Sequence, residues 1–350
     1  MVGTDAELPL PWLAPLLERT LATRHAHALL LQGPQGVGQF DFATTLAQAW
    51  LCEAAPAARR PCGRCPSCHL VQARAHPDLL VLLPEALQET LGWAGAHTES
   101  DRASKAKPSK LILVDAVRTA IAFAQSTSAR GRSKVAVLHP AEHMNAVAAN
   151  TLLKTLEEPP GGTRFLLCCA APDALLPTIR SRCQVVPMAL PPEAQAVAWL
   201  EGHGVADAAV LLAGAGGQPQ EALDWSQQGV DAASWRRFPA LVAAGAAAGF
   251  EKWPLGRLVD ALQKLCHDAA CLASGAAPRY FPAAALPPPA RLPALLAWRA
   301  ELDRVARHAE HPWSLGLMVE ALVEQGRQAL STGSAAKGPR ARADSLHSRS

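Results

Sequence analysis

No apolar run among the 350 residues reaches the roughly 18 that a membrane-spanning helix needs. The nearest, Phe238 to Phe250, is uncharged but short and rich in Ala and Gly, so no membrane partner is expected. Met1 to Glu7 hold two acids and no basic cluster ahead of an apolar core, which predicts no secretory signal. Charge of one sign is scarce. Lys and Arg number 33 against 30 Asp and Glu, and a net +3 is too small to make nucleic acid the dominant electrostatic partner. Paired disulfides are not indicated either, because two of the nine cysteines, Cys168 and Cys169, are adjacent; a reduced, cytoplasmic protein is expected. The remaining composition is globular, 49% hydrophobic and 18% charged, with a mean hydropathy of +0.06. At about 150 residues per domain the length predicts two or three domains. Such a chain buries roughly three quarters of its unfolded surface and needs no staples to fold.

The first half alternates short apolar runs with amphipathic stretches. Strands are predicted at Ala28–Leu31, Leu79–Leu83, Leu111–Val114, Val135–Leu138 and Phe165–Cys169, and helices at Phe40–Leu51, Asp115–Gln125 and Asn145–Glu157. This alternation implies an α/β domain with a parallel sheet covered on both faces. Ala86–Lys110 is polar and reads as a long loop. After Val185 no strand is expected. Pro191-Pro192 opens a helical region interrupted at Gly214–Gly217 and at Pro278–Pro293, and its last helix is Trp313–Leu330. The predicted domains are 1-188, 189-228 and 229-330, with 331-350 a disordered tail by composition.

Cys52, Cys62, Cys65 and Cys68 form Cys-x9-Cys-x2-Cys-x2-Cys. The short spacings let the thiolates converge on one tetrahedral ion, and four sulfurs leave no position open for water, so a structural Zn²⁺ site is predicted. An iron–sulfur cluster is the alternative metal group, His69 a substitute ligand, and unrelated surface thiols the bland reading. Arg59, Arg60 and Arg64 flank the site, either as a solvated rim or as a grip on nucleic acid. Cys168, Cys169, Cys266 and Cys271 read as core.

Gly33-Pro34-Gln35-Gly36-Val37-Gly38-Gln39-Phe40 follows a predicted strand and opens a helix, the setting of a phosphate-binding loop. Gly33, Gly36 and Gly38 keep the frame through which backbone N–H groups surround a phosphate. Gln39 stands where a lysine should neutralise the phosphates, and Phe40 where a hydroxyl should hold Mg²⁺. The strand ending at Leu138 should deliver an acidic pair, but His139 and Pro140 occupy those positions, with Glu142 a displaced candidate base. The loop is vestigial by this reading, and the chain has no functional ATP site.

With Asn150-Thr-Leu-Leu-Lys-Thr-Leu-Glu-Glu-Pro-Pro160 and Ser181-Arg182-Cys183, residues 10 to 225 resemble the bacterial clamp loader family of DNA polymerase III. The gamma/tau ATPase subunits and the delta-prime type share both segments; the degraded loop and lost acidic pair are similar to delta-prime. The resemblance implies an AAA+ α/β domain bearing the zinc module, a helical lid and a helical collar. It also implies a ring with gamma/tau and delta subunits that loads the sliding clamp onto primer–template DNA. Arg182 matches the family's arginine finger, which reaches the γ-phosphate held by a neighbour; taken alone it reads as a surface arginine at a helix end. The family's polar sensor falls on Cys169 and its lid arginine on Gln220, both agreeing with an empty nucleotide site. Arg180 reads as solvated or locally paired, and Arg130, Arg132 and Lys134 as a solvated basic run.

The expectation is therefore a subunit without intrinsic ATPase activity inside a DNA-directed DNA polymerase (nucleotidyltransferase) holoenzyme. The alternatives are an active gamma/tau-type ATPase, which Gln39, His139 and Pro140 oppose, and a zinc-dependent nucleic-acid-binding module, which the small net charge opposes.

Overall fold

The computed structural model describes residues 1–23, 26–55, 60–93, 108–250, 253–308 and 314–331. Arg59, most of the expected 86–110 loop, Trp313 and the expected tail from 332 lie outside them. Its contacts divide into two units, Met1–Trp199 with Gln218–Glu221, and Leu200–Gly217 with the described residues from Ala222 on.

Unit one is built on five parallel strands in the order β2-β3-β4-β1-β5. They are β1 (Ala28–Gln32), β2 (Leu79–Leu82), β3 (Val135–Leu138), β4 (Arg164–Cys169) and β5 (Gln184–Pro187). The central strands are apolar without alternation because both faces are covered. Leu30, Leu138, Phe165 and Leu167 enter one core, and Leu29, Leu31, Val137 and Leu166 enter the other, as the two-residue period requires. Each fully buried leucine contributes roughly 1.5–3 kcal/mol.

Three expectations need correction. β5 spans Val185, where no strand was expected. It is a four-residue edge strand in which only Val186 is buried, and it ends in a proline that an edge tolerates, so its apolar signal is weak. Leu111–Val114 is not a strand: Ile112 makes one bridge to Met144, Leu111 and Leu113 are exposed, and Val114 begins the helix Val114–Gln125. The 86–110 segment is not all loop, since the helix Glu85–Gln88 runs into it.

Unit two is helical. Ala232–Ala243, Leu255–Ala273, Leu292–Arg307 and Leu315–Leu330 pack around Trp225, Trp235, Phe238 and Phe281. The Trp235 and Phe281 rings stack with centroids 4.5 Å apart. Asp268, fully buried, accepts three backbone N–H bonds of 2.8 Å from Arg279, Tyr280 and Phe281, which fixes the Pro-rich connection against its helix. Cys266 is buried in the helix Leu255–Ala273, and Cys271 is half-buried there. Among the described residues no helix is long and apolar enough to cross a membrane.

Candidate functional site

The glycine loop leaves the carboxyl end of β1 and enters the helix Gln39–Leu51 through Gly38, whose φ of +95° is a left-handed value that favours glycine. Gly33 has no room for a side chain because a Cβ would run into the carbonyl oxygen of Met188. The frame of a glycine loop is present, and its own side chains make contacts within and beside it. The Gln39 amide is buried and turns back into the loop, donating to the carbonyls of Gly33 and Pro34 at 2.7 Å each. Phe40 packs against His139 with centroids 5.1 Å apart, and Trp93 meets the Phe40 ring edge-on at 6.3 Å. The positions where a Mg²⁺-binding hydroxyl and an acidic residue were sought thus hold two rings in contact.

Burial drives the His139 pKa down to about 4 against the opposing charge of Glu142, so the ring is neutral at pH 7. Glu142 points to β4 instead of acting as a base, its Oε1 accepting from the N–H groups of Ala170 and Ala171 at 2.9 and 3.1 Å. Cys169 is buried at the end of β4, and burial, reinforced by Glu142, pushes its thiol up to about 12. Gln220 donates to Asp41 Oδ2 at 2.7 Å. Pro140 begins the 3₁₀ turn Ala141–His143 and offers no side-chain ligand.

Arg182 follows the short helix Pro177–Arg180 and is partly exposed. Its Nε donates to Glu157 Oε1 at 2.6 Å and its Nη1 to the Thr178 carbonyl at 2.9 Å. Glu157 ends the helix Ala146–Glu157, so both segments that carried the family resemblance meet at this ion pair. Arg180 is paired locally, with Asp173 at 3.5 Å.

The four cysteine sulfurs converge, all within 4.8 Å of one another. Cys52 and Cys65 are 3.9 Å apart and Cys62 and Cys68 4.0 Å. A tetrahedral ion with Zn–S near 2.3 Å needs sulfurs about 3.8 Å apart, so the donor set fits a metal ion. His69 is exposed and outside the set. The N–H groups of Glu53 and Cys68 point at Cys65 Sγ and that of Cys65 at Cys62 Sγ, at 3.3–3.5 Å. Burial disfavours the Cys62 thiolate, but the N–H groups of Arg64 and Cys65 and the neighbouring thiols outweigh it and lower the pKa to about 7.

Two contacts anchor this module. Arg130, exposed as expected, also pairs with Glu53 at 2.6 Å while its backbone N–H reaches Asp78. Lys134, by contrast, is not solvated: it is buried, donates to carbonyls at the end of the helix Val114–Gln125 and lies 4.1 Å over Phe123. Arg130 and Arg132 of that run are exposed, and Lys134 alone is buried. Ser67, His76 and Asp78 look like a hydrolytic triad in composition but not in wiring. His76 Nδ1 accepts from the Asp78 N–H at 3.0 Å, so Nε2 carries the proton toward Ser67 at 2.8 Å and cannot take one from it.

A family profile for "DNA polymerase III, delta subunit" matches residues 13–192, about half of the chain. DNA polymerase III subunit delta' of Pseudomonas aeruginosa is 41% identical over 212 residues, 59% of this chain and 58% of the relative. That of Escherichia coli is 37% identical over 207 residues, 58% and 55%. The matched segment therefore spans under two thirds of either relative. DNA polymerase III subunit tau of Escherichia coli is 34% identical over 157 residues, 45% of this chain and 20% of the relative. Carrying the glycine loop, the Arg182 segment and the five-stranded parallel sheet within the matched residues, the chain belongs to the DNA polymerase III delta-prime family.

Proposed function

We propose that the chain is a non-catalytic delta-prime-type subunit of the DNA polymerase III clamp loader. In this reading it occupies a ring with gamma/tau ATPase subunits and delta, neither binding nor hydrolysing ATP itself. Its collar, residues 229-330, holds it in the ring, while its AAA+ domain, 1-188, and lid, 189-228, close one side of a neighbour's ATP site. Arg182 is donated there in trans, where an always-charged guanidinium stabilises the charge that develops on the γ-phosphate. Glu157 holds that side chain ready and is exchanged for phosphate oxygens on docking. The neighbours' ATP then drives opening of the sliding clamp and its loading onto primer–template DNA. The protein works in the cytoplasm.

The observation that carries this reading is the Phe40–His139 contact above a loop whose Gln39 amide is spent on Gly33 and Pro34. Cys52, Cys62, Cys65 and Cys68 would hold zinc, which supplies a cross-link with no open coordination position.

The test is DNA- and clamp-stimulated ATP hydrolysis by the reconstituted ring, comparing wild type with Arg182→Ala. A fall of roughly 10³-fold at the site that Arg182 completes, with assembly intact and the isolated chain silent, is expected. Turnover by the isolated chain overturns the reading.

A further inference from the structure

On unit one, at the amino-terminal end of the strands, opposite the end where the glycine loop lies, is an open groove of about 1550 Å³. Ser133 and Arg164, which line it, sit at the amino ends of β3 and β4, and Thr23 ends the helix before β1, whereas the glycine loop leaves a carboxyl end. Leu8, Leu17, Leu21 and Trp50 form an apolar floor. The rim carries Arg60, Arg64, Arg132 and Arg164 against one acid, Glu18. Among the described residues none of the four arginines is ion-paired. Arg60 and Arg64 are anchored through Nε, to the carbonyls of Ala54 and Thr4 at 2.7 Å each, which points to their Nη nitrogens as donors for a ligand. The Arg164 guanidinium lies 4.5 Å over the Trp50 ring, which orients it at small entropic cost.

We propose that this groove docks an acidic peptide segment of a partner protein, its large apolar side chains on the leucine floor and its carboxylates forked onto the arginine rim. The volume exceeds the roughly 300–1,000 Å³ of a small-molecule pocket, so a polymer segment suits it better than a metabolite. Charge complementarity selects an acidic occupant. The leucine floor and the already covered Trp50 face select peptide over single-stranded nucleic acid, which needs open aromatic faces on which bases stack. The wall at Pro61, Cys62 and Arg64 belongs to the cysteine module, so the module shapes the groove.

Fluorescence anisotropy of the full-length, zinc-supplied chain tests this with a labelled peptide alternating Asp or Glu with Leu or Phe. Its comparators are the carboxamide version, a version with Ser at the apolar positions, and an oligothymidylate of similar length. Saturable binding of the acidic apolar peptide alone is expected. Arg132→Glu and Arg164→Gln should each weaken it by about tenfold or more, with melting curves checked in parallel and Arg118→Gln as the unaffected control. No saturable binding of that peptide overturns the proposal, as does equal binding of the carboxamide or indifference to both arginine changes. Arginine-dependent binding of the oligonucleotide instead overturns it in favour of nucleic acid.

Discussion

The ring of Phe40 lies on the imidazole of His139, centroids 5.1 Å apart and planes 31° from parallel, joining the two segments that the proposed function reads as a vestigial nucleotide site. Repairing one position therefore leaves the other in place. Gln39→Lys combined with Phe40→Thr should give no measurable ATP turnover, because His139 and Pro140 still supply no acid. Gln39→Ala frees the loop carbonyls of Gly33 and Pro34 and should destabilise unit one by about 1–3 kcal/mol, read from urea unfolding.

His139 also sets an acid limit. Its folded pKa of about 4 lies below the ordinary 6.5, so as pH falls the unfolded chain takes up the proton first. Stability is lost from pH 6.5 down to about 4 and is unaffected by this group above 6.5. His139→Gln removes this pH dependence. Between pH 7 and pH 5 the variant should lose about 2 kcal/mol less than wild type in denaturant titrations.

In the proposed ring, Glu157 positions Arg182 through their hydrogen-bonded ion pair. Glu157→Gln keeps a hydrogen-bond acceptor but removes the charge, so the ring's stimulated ATPase should fall less than with Arg182→Ala. In the double variant the Glu157 change should add nothing further. A full additional loss would show that Glu157 acts elsewhere.

One equivalent of zinc per chain should be found by elemental mass spectrometry, and Cys62→Ser or Cys68→Ser should abolish it. Apparent zinc binding of roughly 10–16 kcal/mol in comparable thiolate sites means that stripping the ion should lower the melting temperature and expose the 52–68 segment to protease. An unchanged melt after verified removal would falsify a structural metal.

Asp268→Ala leaves three backbone N–H groups of the Arg279–Phe281 turn without an acceptor inside unit two. It should cost about 3–5 kcal/mol, with Asp268→Asn costing less because an amide oxygen still accepts.

By themselves, residues close together in the chain determined much of this protein. Leu29 to Leu31 and Val135 to Leu138 announce buried parallel strands, since a two-sided core needs apolar residues at every position. The Cys-x2-Cys-x2-Cys run announces a cysteine cluster that could hold a metal ion, since its sulfurs are brought together by local geometry. Gln39, Phe40, His139 and Pro140 stood out for the same reason, because the local frame of a phosphate loop sets a defined chemical expectation at each position. Only the tertiary structure decided that the Phe40 and His139 rings meet, centroids 5.1 Å apart, although they follow strands β1 and β3, which are separated in the sheet by β4. It also decided that Lys134 is buried, that Arg130 clamps Glu53, that Gln184–Pro187 completes the sheet, and that Arg164 meets Trp50. Those outcomes depend on long-range packing, which puts an edge strand or a charged residue into surroundings its neighbours in sequence do not encode.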